Sequence, residues 1–406
     1  MSVRSRQEYF RVLCKRYRNS PSKKERGIII DEACLNTGLH RKSVIRAISN
    51  ILDERAVIAR SGRPRRYTDA CVALLKRLYR ESDYQGSGKL YSMIPVLIEQ
   101  YKLLLPEHLL KEITAIAPAS IDRYLKKYRA LQSKSKRSFT RPGSKLFKRM
   151  IPLKDLSNVV TKAGFMEADT VGHCGGNASG EFAFSLTMTD SLSGWTENRG
   201  VTNKCAKHVM PAIRSVHQSL PFELLSINVD NGSEFLNHLV YGYFTGFAKE
   251  MGTPFPMTRS RSYQKNDNAR VEQKNWTHVR QLFGYDRIDD ERLIPLMNEV
   301  YRVQNLISNF FIPQYRLLSK VRVGAKIKKK YDKPKTPYQR LLESNIPEDR
   351  KQKLRQQYAT LSYPNLRRER EELLASFLKL QEKIKLEKRA SPSPGESALS
   401  FGNNQL

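Results

Sequence analysis

The stretch SYQKNDNARVEQKNW, residues 262–276, passes from a polar loop into a helix. Asn266, Asp267 and Asn268 are turn and N-cap residues. Beyond them Glu272, Trp276, Val279 and Phe283 recur at i, i+4, i+7 and i+11, one stripe of a helix. A carboxylate thus heads a stripe whose other members are apolar. Alone, a first-turn Glu is explained by the helix dipole. Two aspartates upstream, placed where a carboxylate triad would need them, give it a second meaning.

Working back from that stretch, residues 165–171 read as an apolar strand with Asp169 inside it. A charge there must be paired, liganded or at an edge. Residues 180–189 and 194–201 read as two further strands, and 203–219 as a helix. Ser226-Ile227-Asn228-Val229 is a buried-looking strand ending at Asp230, where α/β sheets place their sites. The run HLVYGYFTGFAKEM is another helix, and TPFPMT a short fifth strand. Three strands joined by tight turns, then alternating helix and strand, is the order of a ribonuclease-H-like core, a mixed sheet covered by helices. The carboxylates stand 61 residues (Asp169 to Asp230) and 42 residues (Asp230 to Glu272) apart.

ADTVG, NVDNGSEF and YQKNDNARVEQKNW together resemble the Asp-Asp-Glu core of retroviral integrases and bacterial insertion-sequence transposases. The resemblance covers residues 160–300, and the transposases with N-terminal helix-turn-helix units are the nearer type. It implies that Asp169, Asp230 and Glu272 are catalytic and hold the metal, Mg²⁺ or Mn²⁺, as two ions. Hard cations take oxygen ligands, so carboxylates suit them where thiolates and imidazoles do not. Such a site serves both the attacking and the leaving oxygen of a phosphodiester displacement. Asp190, Asp267, Glu234 and His173 read as turn, N-cap, solvent-facing or local structural residues, and Trp195 and Trp276 as core.

Lys and Arg number 72 against 40 Asp and Glu, a net charge of +32. Residues 1–150 hold 34 basic and 13 acidic side chains, residues 151–300 hold 15 and 17, and residues 301–406 hold 23 and 10. A near-neutral middle between basic flanks suits a catalytic core held on a polyanion, nucleic acid first. The five cysteines show no CxxC spacing, which argues against structural zinc. No apolar run reaches membrane-spanning length and no signal segment is evident, so a cytoplasmic protein with reduced thiols and no membrane partner is expected.

The flanks complete a multidomain chain: α-helical N-terminal helix-turn-helix modules, an α/β ribonuclease-H-like core and a basic, mostly helical C-terminal region. Residues 1–60 form the first module. Helices over 23–35 and 41–49 flank a Gly38 turn. Ala33, Leu39, Val44, Ile45 and Ile48 would pack them, leaving His40, Arg41, Lys42, Ser43 and Arg46 to meet DNA. The linker 61–69 carries Arg63, Arg65 and Arg66, which suit either a minor-groove arm or a plain basic linker.

Residues 70–130 form a second module, with helices near 72–78 and 90–103. Its last helix is capped by Ser120 and carries Arg123, Lys126, Lys127 and Arg129. A basic linker spans 131–158 and the core 159–300. Lys265, Arg270 and Lys274 beside the Glu272 helix are candidate phosphate contacts, with Arg259 and Arg261 similar. Residues 301–345 are basic, with a hairpin expected in KVRVGAKIKKKYD; 346–389 read as solvated, salt-bridged helices broken near Pro364, with a subunit or DNA contact as the alternative. A disordered tail is expected over 390–406.

This pattern predicts a transposase that binds double-stranded DNA at element ends and target, as a homo-oligomer. The rival classes are a helix-turn-helix regulator with an inactive core and a structure-specific ribonuclease-H-like nuclease.

Overall fold

A computed structural model describes residues 3–52, 66–129, 151–153, 160–252, 257–261 and 269–390. Arg63, Arg65, Lys265, Asp267, most of the linker expected at 131–158 and the tail after Ala390 lie outside them. Two compact units emerge, residues 1–68 and 69–406.

The first unit packs three helices: α1 (Val3–Asn19), α2 (Lys23–Thr37) and α3 (Arg41–Leu52). Ser22 caps α2 by accepting from Glu25 N, and Gly38 ends it at φ +69°, its N–H returning to Cys34 O at 2.9 Å. Phe10, Leu13, Ile29, Ile30, Ala33, Val44 and Ile48 form the core. Ile45 is not in it; at 43% exposed it shares the outer face of α3 with Arg46.

The second unit opens with α4 (Asp69–Glu81), α5 (Ser87–Gln100), α6 (Glu107–Thr114) and α7 (Pro118–Arg129). They bury Leu75, Leu78, Leu90, Ile94, Ile113, Ile121 and Leu125. Ser120 is not the cap of α7. The helix begins two residues earlier at Pro118, whose fixed φ and missing N–H suit a first turn.

Five strands form one sheet in the order β3-β2-β1-β4-β5. β1 (Phe165–Gly172), β2 (Phe184–Asp190) and β3 (Thr196–Val201) are antiparallel; β4 (Ser226–Val229) and β5 (Met257–Arg259) continue the sheet in parallel with β1. Helices α8 (Ala206–Ser219) and α9 (His238–Met251) make the crossovers that parallel pairing requires. β2 starts four residues later than its apolar pattern suggested, because the chain turns first at Gly180, φ +72°. All seven residues of β2 are buried, as in a strand covered on both faces.

The helix of the decisive stretch is α10 (Ala269–Lys274), a π-helical turn (Asn275–Arg280) and α11 (Gln281–Phe283). α12 (Leu293–Phe310) packs on β3. The expected hairpin is present as β6 (Leu317–Val323) and β7 (Lys326–Tyr331), exposed along its whole length. α13 (Pro337–Glu343), α14 (Glu348–Thr360) and α15 (Tyr363–Ala390) follow. Among the described residues no helix is long and apolar enough to cross a membrane.

α15 corrects the reading of residues 346–389 as solvated. It buries Tyr363, Leu366, Phe377 and Ile384 against α12 and the N-terminal helices of its unit. Tyr363 Oη donates to Glu81 O (2.6 Å), and Arg370 makes two bonds to Asp83 (2.8 and 2.9 Å). Arg367 pairs with Glu81. These arginines reach acids far along the chain, where the sequence offered neighbours four residues away.

Candidate active site

β1 and β4 bring the two aspartates together. Their parallel register pairs Ala168 with Val229. Asp169, still within β1, and Asp230, just past the end of β4, are the next residues in that register, so they lie side by side on one face. Asp169 Oδ1 accepts from Thr170 N (2.8 Å) and its Oδ2 from Asn275 Nδ2 (2.6 Å). Asp230 Oδ1 accepts from Gly232 N (2.8 Å), which closes the DNG turn.

Burial, then the neighbouring charge of Asp230, pushes the Asp169 carboxyl up to about 7. Glu234 adds to that charge. It is buried, at 7% exposed, and accepts from Thr170 Oγ1 at 2.7 Å, so it does not face solvent. Gly232 allows this: a Cβ there would stand 2.5 Å from the Glu234 carboxyl.

Glu272 lies in the first turn of α10 and faces the same cavity of about 820 Å³ as Asp169, Asp230 and Glu234. Arg270 ties that turn to β1 through Glu167 (3.0 Å), a carboxylate 1% exposed. The apolar stripe expected below Glu272 is broken. The π-helical turn inserts extra backbone between Glu272 and Val279, so Val279 and Phe283 are buried while Trp276 is 47% exposed on the cavity. Asn275 Oδ1 is buried in the same wall without a partner.

Among the described residues no three His, Cys, Asp or Glu side chains converge closely enough to hold an ion. The donor chemistry still fits a hard divalent cation. Two adjacent carboxylates repel, and an amide oxygen beside them is unsatisfied.

No family model matches the chain. The uncharacterized protein y4rM of Sinorhizobium fredii is 32% identical over 346 residues, spanning 84% of this chain and 96% of that protein. The chain belongs to the y4rM family. Solved structures returned include the catalytic core domain of BIV integrase (17% identity, 44% of this chain and 94% of that one, TM-score 0.27). Another is a simian T-cell lymphotropic virus intasome in complex with a PP2A regulatory subunit (15%, 62% and 76%, TM-score 0.33). A third is the HTLV-2 integrase catalytic core domain with magnesium (16%, 38% and 91%, TM-score 0.28). TM-scores this low establish neither a common fold nor a common activity.

In this y4rM-family chain the other site candidates divide. Arg41, Lys42, Ser43 and Arg46 are exposed on α3, although Arg41 pairs with Asp31. Arg66 stacks over Tyr67 at 5.7 Å. Arg123 and Lys126 are exposed on α7, which also carries Lys127; Arg129 is held by Asp122 and lies over Tyr79. Lys274 is not a surface contact: it is 7% exposed, in a second cavity behind the helix. Asp190 is structural, accepting from Gly164 N (2.8 Å), Ser193 N (2.7 Å) and Ser193 Oγ (2.6 Å). Trp195 is core, its indole N–H donating to Glu197. His173 is local structure, bonded to Ser185 Oγ (2.7 Å) and pushed down to about 3 by burial.

Sequence reasoning missed Glu167 and Asn275, and it misplaced Glu234. Glu167 and Asp169 share a strand face by their spacing of two, and Asn275 lies three after Glu272 on one helix face, so both signals were present.

Proposed function

We propose that the chain is a DNA transposase, binding the double-stranded ends of a mobile element, cutting their 3′ ends and joining them to target DNA as a homo-oligomer. The reading is carried by the adjacency of Asp169 and Asp230 in a cavity that Glu272 also lines. The motif resemblance in the sequence points the same way. Asp169, Asp230 and Glu272, which line one cavity, would hold Mg²⁺ or Mn²⁺, and the unpartnered Asn275 Oδ1 lies in the same wall. Such ions supply a Lewis acid for the phosphodiester and activate water at neutral pH.

The protein's own part is positioning. Asn275 holds Asp169 Oδ2, so the aspartate presents a fixed edge to the cavity. Arg270 and Glu167 fix the turn carrying Glu272 against β1. Glu234, through Thr170, adds negative charge beside Asp169 without reaching solvent. The exposed cations of α3 and α7 are the duplex contacts, those of α3 reading the end sequence and those of α7 gripping phosphates.

Asp230→Asn tests the assignment. Metal-dependent nicking of duplex DNA should fall at least about 10²-fold, the scale of losing a preorganised charge at a reacting centre. Duplex affinity should change less than about threefold, within the range of one surface charge. Full residual nicking removes Asp230 from the triad.

A further inference from the structure

A second cavity, about 690 Å³, lies between the Glu272 helix, the start of α5, α12, α15 and the base of the β6–β7 hairpin. Most of its polar groups are already engaged. Arg370 is bound to Asp83 and Gln304. His278 uses both ring nitrogens, on Asn198 (3.0 Å) and Ser308 (2.8 Å). Asp83, the carboxylate in its lining, is taken by Arg367 and Arg370.

Two cations are not engaged. The side-chain nitrogens of Lys89 and Lys274 have no hydrogen bond or ion pair with any described residue, and Lys274 is more than nine-tenths buried. Burial, then the charge of Lys89, penalises the charged form of Lys274 and pushes its pKa well down. An anion in the cavity removes that penalty.

The mouth tells which anion. Tyr84, Tyr315 and Tyr331 line it and are 44%, 46% and 47% exposed; Tyr84 packs edge-on with Tyr79 and Tyr315 with Tyr331, and the exposed part of each ring is open to bases. Tyr315 is fixed against α5, where a Cβ on Gly88 would overlap its hydroxyl at 1.8 Å. The exposed strand β7 adds Lys329 on the same face as Tyr331. A single strand can use the phosphate and the aromatic contacts together, because its bases are free to stack; a duplex keeps its bases paired.

We infer that this cavity holds a backbone phosphate of a single DNA strand, between Lys89 and Lys274, with the adjoining bases stacked on the three tyrosines. The site rests on the reading of the chain as a DNA-processing protein. It would place a separated strand on the opposite side of the helix that carries Glu272.

Full-length protein should be titrated with a short single-stranded oligonucleotide, with the same sequence as a duplex, and with inorganic phosphate as competitor. Lys89→Gln should weaken single-strand binding about tenfold, the scale of one charge-assisted contact, and duplex binding less than about twofold. Lys89→Arg should restore most of the loss. Lys353→Gln, on the exposed face of α14, should change neither. If Lys89→Gln fails to fold, Lys274→Met, which neutralises a buried charge, should show the same selectivity. Equal loss for duplex and single strand, no loss for either, or full displacement of the oligonucleotide by millimolar phosphate overturns the site. Absence of all DNA binding by the natural protein overturns the proposed function as well; duplex binding without a Lys89-dependent single-strand affinity overturns this inference alone.

Discussion

Arg370→Ala tests how α15 holds the second unit together. The guanidinium is 6% exposed and bonds both oxygens of Asp83 (2.8 and 2.9 Å) and Gln304 Oε1 (2.8 Å). Removing one partner of a buried pair costs about 3–5 kcal/mol, because the other charge stays buried and uncompensated. Asp83 keeps Arg367 at 3.3 Å, which lowers the expected loss to about 2–3 kcal/mol. Guanidinium unfolding followed by circular dichroism reads it. A double-mutant cycle isolates the pair: Asp83→Asn with Arg370→Ala should cost less than Arg370→Ala alone, since Asp83 is then no longer left without its partner. Loss under about 0.5 kcal/mol, the level of an exposed pair, would refute the buried clamp and return α15 to a solvated helix.

Other outcomes follow from the same contacts. Gly232→Ala forces the Glu234 carboxyl out of its place and should cost about 1–3 kcal/mol in melting experiments, as overpacking does; a neutral result sinks the close contact. His173 and His278 are held neutral by burial, their pKa values lowered in the folded state. The unfolded chain binds their protons first, so stability should fall as pH drops below about 6.5, by up to about 1.4 kcal/mol per unit for each histidine. His173→Gln should flatten that slope, and an unchanged slope contradicts the assignment. Deleting residues 1–68 should abolish end-specific DNA binding while leaving the second unit folded, as judged by its melting; retained specificity places recognition elsewhere. Duplex affinity should fall steeply with salt as phosphate counterions are released, and a flat response contradicts electrostatic binding.

Apolar strands and their end carboxylates were legible because burial and alternation are local properties. Asp169 stood out inside an apolar strand, and Asp230 at a strand end before a turn. Their contact was not legible, because it depends on the register of β1 against β4, set by packing across 60 residues. The π-helical turn was equally invisible: residues 269–283 carry ordinary helical spacing, and the extra backbone shows only in the exposure of Trp276. α15 misled because alternating Arg and Glu within a helix suggests pairing at four residues. Arg367 does pair with Glu371, yet it and Arg370 also reach Glu81 and Asp83, nearly three hundred residues away. Glu234 was misplaced for the same reason: its partner, Thr170, lies on a different strand.

The central claim is tested most directly by incubating the full-length protein with labelled duplex carrying the sequences that flank its own gene, in Mg²⁺ or in EDTA. Metal-dependent nicks at one fixed 3′ position, followed by joined products and lost in Asp169→Asn, are the predicted result. Tight, end-specific binding with no cleavage in Mg²⁺ or Mn²⁺ would contradict it and leave Asp169, Asp230 and Glu272 as structural carboxylates.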